Sequence, residues 1–513
     1  MTLVAENLQL KTENQELRNQ VIYLTQELNQ LKRMMFGQSS ERSKTLYFDN
    51  GQIKLFEDEK EEQVKAEVKK IKVKAHDKAK VRKSPKRHIL PDHLPRKQQI
   101  INPQGVDADQ CTKIGEDITE ILAYIPGALY VKQIIRPRLV AREKEDSLPT
   151  ETTVLQASIP PRLIPRGIVD ESLIAHIIEE KFMFHTPVHR LVKKYQQAGV
   201  KFVGAKNMHN WIHRSAEALM PLYYLLEKDL LSSPYLQADE STLKVLSSDK
   251  KGASHTGYMW LVHNPENRTT LFRYDHSRQH RVAHELFGKY KGILQADGYK
   301  AYESVASVNP QMKLINCMAH ARRKFVDATN SDPPTVKHYL SEVRKLYKLE
   351  RDLRLEKADY ETRYKRRQEI AVPILENLKK WMEDLLKNHR ILPKSSLGIA
   401  IAYSLKRWKG LCAYTQDGKL EIDNNLIENE VRPLALGRKN YLFAKNHQTA
   451  QNLACLYSIV LTANKNNLCI HRYLEWLLRK TVTEKITDQS INWLPHKLTQ
   501  QDREQFQIKN DGV

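Results

Sequence analysis

Between Tyr235 and Asp297 the chain shifts from helical toward strand periodicity, and the order of segments there limits the fold more than any other stretch. Tyr235-Leu236-Gln237-Ala238-Asp239, then Gly257 to His263, then Thr270 to Tyr274 read as three successive strands. A helical pattern from His280 to Tyr290 separates them from a fourth strand, Gly292 to Ala296. Three strands in a row, a helix and another strand predict a mixed α/β layer.

Two of these strands run into a carboxylate, Asp239 on the first and Asp297 on the fourth. A third acid, Glu428, closes the run Glu421-Ile422-Asp423-Asn424-Asn425-Leu426-Ile427-Glu428. A strand fixes the backbone beneath such a side chain. Three carboxylates brought together can hold two divalent metals, which drive in-line attack on a phosphodiester. Magnesium suits such a site, because it takes a few carboxylate oxygens and keeps positions for water and phosphate. Spacing alone does not single these residues out among 61 Asp and Glu. Asp239 can equally cap a helix, Asp297 with Gly298 can make a turn, and Glu428 can lie on a helix surface. Glu240 and Asp423 compete as ligands.

The charge balance narrows the partner. Lys and Arg number 83, the formal net charge is +22 and the pI is near 9.5, so a polyanion is expected, nucleic acid first among them. Five scattered cysteines (Cys111, Cys317, Cys412, Cys455 and Cys469) show no disulfide framework. The first residues are polar too early for a secretory signal. No apolar run approaches the roughly 18–20 residues that span a bilayer. A cytoplasmic, nucleoid-associated protein with no membrane partner is expected.

Leu3, Leu10, Leu17, Leu24 and Leu31 recur every seventh residue, with Asn7, Asn14, Val21, Leu28 and Met35 at the matching a positions. Residues 1–36 therefore read as a leucine-zipper coiled coil forming a homodimer or part of a higher oligomer. Residues 37–88 are a charged flexible linker, and 89–168 a small β-rich module. Residues 169–230 look helical. Pro187 opens a helix, Gly199 offers a turn and a second helix runs from about Ala205 to Ser215. That segment resembles a helix-turn-helix presenting Lys206, Asn210 and Arg214 to DNA. The layer itself occupies 231–330 and 411–446. A helical segment, 331–410, interrupts it, with Ile374, Leu375, Leu378, Trp381, Met382 and Leu385 on one face and Pro373 at a helix start. Residues 447–513 form C-terminal helices and a tail.

Five ordered blocks carry a family likeness: Ala238-Asp239-Glu240-Ser241, Leu294 to Tyr299, Cys317-Met318-Ala319-His320-Ala321-Arg322-Arg323-Lys324-Phe325, Glu421 to Asn425 with Glu428, and Arg432 to Phe443. Together they resemble the transposases of the insertion-sequence-66 family over nearly the whole chain. The resemblance implies a ribonuclease-H-like mixed-sheet core with a helical insertion before the final acid. It assigns Asp239, Asp297 and Glu428 to a DDE triad that binds Mg2+, with Mn2+ as the alternative ion. The implied reaction is metal-dependent cleavage at element ends, followed by strand transfer into target DNA. Arg432, Arg438 and Lys439, and the basic run Arg322, Arg323 and Lys324, are expected to contact double-stranded DNA. Family elements often encode small accessory proteins, which are implied as further partners.

One departure is visible. Many family members carry paired cysteines near the region of Cys111 and Arg138, but Cys111 stands alone here, so no zinc is predicted. Cys317 and His320 make a two-residue pair, for which a structural role near the sheet is expected. Beside the transposase reading stand two others, a nuclease that cuts without joining and a noncatalytic DNA-binding protein.

Overall fold

A computed structural model describes residues 161–506, apart from 166, 168, 201–202, 247–252 and 388–390, together with 16, 20, 21, 138–140 and 154–156. Glu16, Gln20 and Val21 are helical. The rest of the heptad repeat, the 37–88 linker and Cys111 lie outside the described residues. The chain forms two compact units. The smaller, Ser39–Ser158 with Lys509–Val513, contains β1 (Arg138–Val140) and β2 (Val154–Gln156), which pair antiparallel.

In the larger unit α1 (Glu171–Phe182), α2 (Val188–Gln197) and α3 (Ala205–Leu230) precede β3 (Tyr235–Leu246), β4 (Ser254–Asn264) and β5 (Thr269–Asp275). Then come α4 (His280–Phe287), β6 (Gly292–Ala296), α5 (Lys300–Val308), β7 (Met312–Asn316) and α6 (Met318–Asp327). The helices α7 (Pro333–Leu355), α8 (Tyr360–Arg366), α9 (Val372–Lys387), α10 (Ser396–Lys406) and α11 (Trp408–Cys412) form the segment between layer and final acid. Finally α12 (Asn425–Tyr441), α13 (His447–Lys465), α14 (Ile470–Thr483) and α15 (Gln500–Phe506) close the unit.

The layer is a five-stranded mixed sheet in the order β5-β4-β3-β6-β7. β3, β4 and β5 are antiparallel neighbours, whereas β6 runs parallel to β3 and β7 parallel to β6. β3 does not stop at Asp239. Leu243 and Val245 continue the buried alternation, and the strand stays paired to β4 as far as Leu246 opposite Ser254. Its pairing with β6 is shorter and ends at Gln237 opposite Gln295. Asp239 thus lies mid-strand, where the parallel neighbour has run out.

The outer strand β5 leaves backbone groups that a sheet edge must satisfy or protect. Helix α13 covers them. Ser458 Oγ accepts from Phe272 N at 2.8 Å, and Thr462 Oγ1 accepts from Thr270 N at 3.1 Å while donating to Thr270 O at 3.2 Å. Tyr223 of α3 donates to Phe272 O at 2.9 Å. These contacts explain why α13 is buried along nearly its whole length and why α3 runs to Leu230, past the Ser215 end expected from sequence. The connection 198–204 between α2 and α3 exceeds the three to four residues usual in a helix-turn-helix.

Helices α6, α7, α9, α10 and α11 share a second core, in which Phe325 stacks on Tyr339 with ring centroids 3.5 Å apart. Leu375, Leu378 and Met382 are buried there, with Ile374, Trp381 and Leu385 on its rim. Pro373 does not start this helix. A π turn, Arg367–Ala371, joins α8 to α9, so the helical run reaches back to Tyr360. No helix among the described residues is long and apolar enough to cross a membrane.

Candidate active site

Residues two apart on a strand share a face. Tyr235, Gln237 and Asp239 therefore line one face of β3, and Ile293 and Gln295 line the same face of β6, with Asp297 immediately past that strand's end. Extending the parallel register beyond Gln237 opposite Gln295 brings Asp239 level with Asp297. Asp297 Oδ1 accepts from Tyr299 N at 2.8 Å, and Asn316 Nδ2 donates to Asp297 O at 3.4 Å. Gly298 follows, and a Cβ there would stand 2.6 Å from the Tyr403 hydroxyl and 2.9 Å from Arg407 Nε, so a larger residue would require those side chains to shift.

Glu428 reaches the same place from the first turn of α12. The helix is docked by polar groups of the sheet face. Gln237 Nε2 donates to Gln295 Oε1 at 2.9 Å and to Asp423 O at 3.1 Å, and Gln237 Oε1 accepts from Ile427 N at 3.2 Å. Gln295 Nε2 donates to Glu421 O at 2.8 Å, and Asn424 Nδ2 donates to Ala238 O at 2.9 Å. At the start of α6, Asn424 N donates to Cys317 Sγ at 3.2 Å, and Met318 N to Ile422 O at 3.2 Å. Gln237, Gln295 and Asn424 are fully buried or nearly so. Sequence reading passed over all three as positioning groups.

The three acids lie close enough to feel one another's charge. Burial, with the charges of Glu240, Asp297 and Glu428 added, raises the Asp239 carboxyl to about 7. Glu240 projects to the opposite face, where Oε1 accepts from Arg278 Nε at 2.8 Å and Oε2 from the Tyr302 hydroxyl at 2.9 Å. Asp423 is occupied by Asn425, through its backbone N at 3.0 Å and its side-chain amide at 2.7 Å. Both competitors are thus committed elsewhere.

His320 and Arg323 on α6 face Glu428. His320 Nδ1 lies 3.8 Å from Oε1, and the Arg323 guanidinium 3.7 Å from Oε2. Burial holds the His320 imidazole below its usual range, against the pull of Glu428 and Asp297. Cys317, His320 and Glu428 each offer an atom within 4.8 Å of the others. Burial pushes the Cys317 thiol up to about 12, and its sulfur already accepts from Asn424, so it packs as a neutral acceptor.

The other basic residues divide. Arg322, Arg323 and Lys324 are exposed along α6, and Arg432 and Lys439 along α12. Arg438 is half-buried and donates to the carbonyl and hydroxyl of Thr242, the hydroxyl at 3.1 Å, which fastens α12 to β3. Lys206, Asn210 and Arg214 are exposed on the first half of α3, with Arg214 paired to Glu217 at 3.2 Å.

A half-buried carboxylate cluster where the inner strands β3 and β6 of a mixed sheet lose their pairing, with exposed basic residues on the helices beside it, defines the class as α/β with an acidic site framed by positive charge. The family described as "Transposase IS66 family" matches residues 166–452, and one described as "Transposase C of IS166 homeodomain" matches residues 23–98. The chain is 31% identical to the uncharacterized protein y4jD of Sinorhizobium fredii, over 95% of its own length and 96% of that protein's. A second protein of that organism, the uncharacterized y4qI, is 30% identical over 92% of this chain and 88% of its own. The chain belongs to the IS66 transposase family.

Proposed function

We propose that the chain is a DDE-type DNA transposase that cleaves phosphodiester bonds at the ends of its element and joins the 3′-hydroxyl ends to target DNA. The reading is supported by the parallel register that sets Asp239 level with Asp297 and by the docking, across the same two strands, of the helix that bears Glu428. The sheet order, with β4 antiparallel to β3 and β6 and β7 parallel, supports a ribonuclease-H-like core.

The site suits divalent cations. Glu428 Oε1, His320 Nδ1 and Asn424 Oδ1 are buried polar atoms without a hydrogen-bond partner, and the neighbouring acids repel one another. Asp239, Asp297 and Glu428 would hold the ions, Mg2+ or Mn2+. Such ions, when bound, activate the attacking oxygen and stabilise the leaving one. The protein's own part is positional. Gln237 and Gln295 fix the helix that bears Glu428, and His320 and Arg323 hold its carboxylate in reach of the two aspartates. Arg322, Lys324, Arg432 and Lys439 neutralise DNA phosphates, and Lys206, Asn210 and Arg214 meet DNA on a separate helix. Arg438 acts through the protein, by anchoring α12. The N-terminal zipper pairs two copies, and accessory proteins of the element are further partners.

The test is Mg2+-dependent nicking of DNA carrying the element's own ends, comparing wild type with Glu428→Gln. Metal-dependent nicking that the variant loses, with end binding retained, is expected. Nicking that survives in Glu428→Gln overturns the triad. Cleavage without joined product from pre-cut ends replaces the transposase by a nuclease.

A further inference from the structure

His176 and Glu179 stand one turn apart on α1, and His471 sits in the first turn of α14, the helix packed against it. One ligand atom from each of the three lies within 4.8 Å of the others, and all three side chains are half-buried. We propose that His176, Glu179 and His471 bind a divalent transition-metal ion, zinc by its donor set, which clips α1 to α14 on helices that carry none of the catalytic carboxylates.

The imidazoles are arranged for this. Each has a carboxylate one turn further along its own helix facing one ring nitrogen. His176 Nε2 lies 3.7 Å from Glu180 Oε1, and His471 Nε2 lies 3.7 Å from Glu475 Oε2. A carboxylate behind the ring orients a metal-ligating histidine and makes it a better donor. The remaining nitrogen of His471, Nδ1, is buried and has no hydrogen-bond partner, so it is free to ligate. Both outer carboxylates are themselves held in place. Glu180 accepts from Lys194 Nζ at 3.0 Å and from Thr186 Oγ1 at 2.7 Å, and Glu475 accepts from Arg479 at 2.9 Å. Arg479 also reaches Glu171 at 3.1 Å, so the two helices are already fixed against each other without the ion. The donors therefore belong to a preformed interface.

Two imidazoles and one carboxylate leave a fourth position for water, the set that zinc accepts and magnesium does not favour. Neither the lone Cys111 nor the pair Cys317 and His320 lies on these helices.

The experiment is zinc titration of the full chain in competition with a chromophoric chelator, for wild type, His471→Ala, His176→Gln and Asp297→Asn. Cobalt is then substituted for zinc to read coordination in the visible spectrum. One zinc equivalent is expected in wild type and retained by Asp297→Asn. In His471→Ala its affinity should fall by at least about 100-fold, a loss beyond that of removing an outer-shell partner. The tetrahedral cobalt bands should follow the same pattern. If His471→Ala does not fold, the half-exposed His176→Gln is read in its place. The proposal is overturned if both histidine variants keep wild-type zinc stoichiometry, or if all zinc binding disappears in Asp297→Asn. Loss of nicking in Asp297→Asn with this zinc retained distinguishes the clip from the catalytic site.

Discussion

Gln237 on β3 and Gln295 on β6 are hydrogen-bonded at 2.9 Å in a fully buried layer, and the same two amides hold the main chain of Glu421, Asp423 and Ile427. The pair therefore joins the strand that carries Asp239, the strand that leads to Asp297 and the segment that leads to Glu428. Gln237→Leu removes the shared member and leaves Asp423 O and Ile427 N without a partner, while Gln295 Oε1 keeps only the Tyr235 hydroxyl. Each buried group left unpaired costs about 1–3 kcal/mol. A lower urea midpoint is expected, together with nicking reduced by about 100-fold in the protein that remains folded, because small misplacements of a catalytic group cost that much. Wild-type nicking by folded Gln237→Leu would show that this docking does not position Glu428.

Metal should stabilise the fold through the same cluster. A ligand bound only by the native state adds about 2.7 kcal/mol at a hundred times its dissociation constant. Thermal midpoints should rise with Mg2+ and fall on chelation in the wild type. Asp297→Asn should respond much less. Equal rises in both proteins would place the stabilising ion elsewhere.

The basic face of α6 allows a test by salt. Arg322, Arg323 and Lys324 are exposed, and Arg323 lies 3.7 Å from Glu428. Each phosphate contact contributes about −0.9 to the slope of log affinity against log salt for duplex DNA. Replacing all three by alanine should flatten the slope for end binding by roughly 2 to 3. An unchanged slope, measured by fluorescence anisotropy across a salt series, would remove α6 from the DNA interface.

The pH dependence of stability has a definite source in His263. Its ring is buried, hydrogen-bonded to Thr270 at 2.9 Å, and held down to about 3 by burial and by the charge of Lys465. The unfolded chain protonates this ring near its ordinary value of about 6.5. Between those two values the unfolded state binds more protons, so stability falls as pH drops through the window. One such histidine contributes up to about 1.4 kcal/mol per pH unit. Urea melts between about pH 7 and about pH 5 should show this loss, and His263→Gln should show a shallower one. Parallel slopes for the two proteins would assign the acid sensitivity to other groups.

How much of this was legible in the sequence depended on which forces decide each feature. β6 was readable to its ends because Gly292 and the Asp297 turn bound a short apolar run. β3 was read too short, because Glu240, Ser241 and Thr242 look like a polar break, yet the antiparallel partner β4 carries the strand on to Leu246. Met312 to Asn316 was not recognised as a strand, since its pattern is weak and its place comes from pairing with β6. The opposite orientation of Asp239 and Glu240 follows from strand periodicity alone, and that signal was available. Gln237 and Gln295 read as incidental polar residues, because their partners lie far along the chain. Arg438 sits in a basic run expected to contact DNA, and only the fold brings Thr242 to it.

The insertion core offers the sharpest stability test. Arg367 is fully buried, and all its donor nitrogens are used. Nε and one terminal nitrogen donate to the two oxygens of Glu350, each at 2.8 Å, and that terminal nitrogen also donates to Leu420 O at 2.9 Å. The other terminal nitrogen donates to Tyr414 O at 2.9 Å and Asp417 O at 2.8 Å. The three carbonyls lie on the loop that feeds Glu421 to Asn424, so this guanidinium supports the approach to the active site from behind. Arg367→Met leaves Glu350 buried, with the half-partner Arg363 at 3.5 Å, and strips the loop of its anchor. Breaking a buried pair on one side costs about 3–5 kcal/mol, whereas replacing both partners by apolar groups is often close to neutral. Urea denaturation of Arg367→Met, Glu350→Leu and the double variant should show large losses in both single variants and partial recovery in the pair. The three orphaned carbonyls keep that recovery incomplete. Purely additive losses would mean that the carbonyl contacts, and not the ion pair, hold the loop.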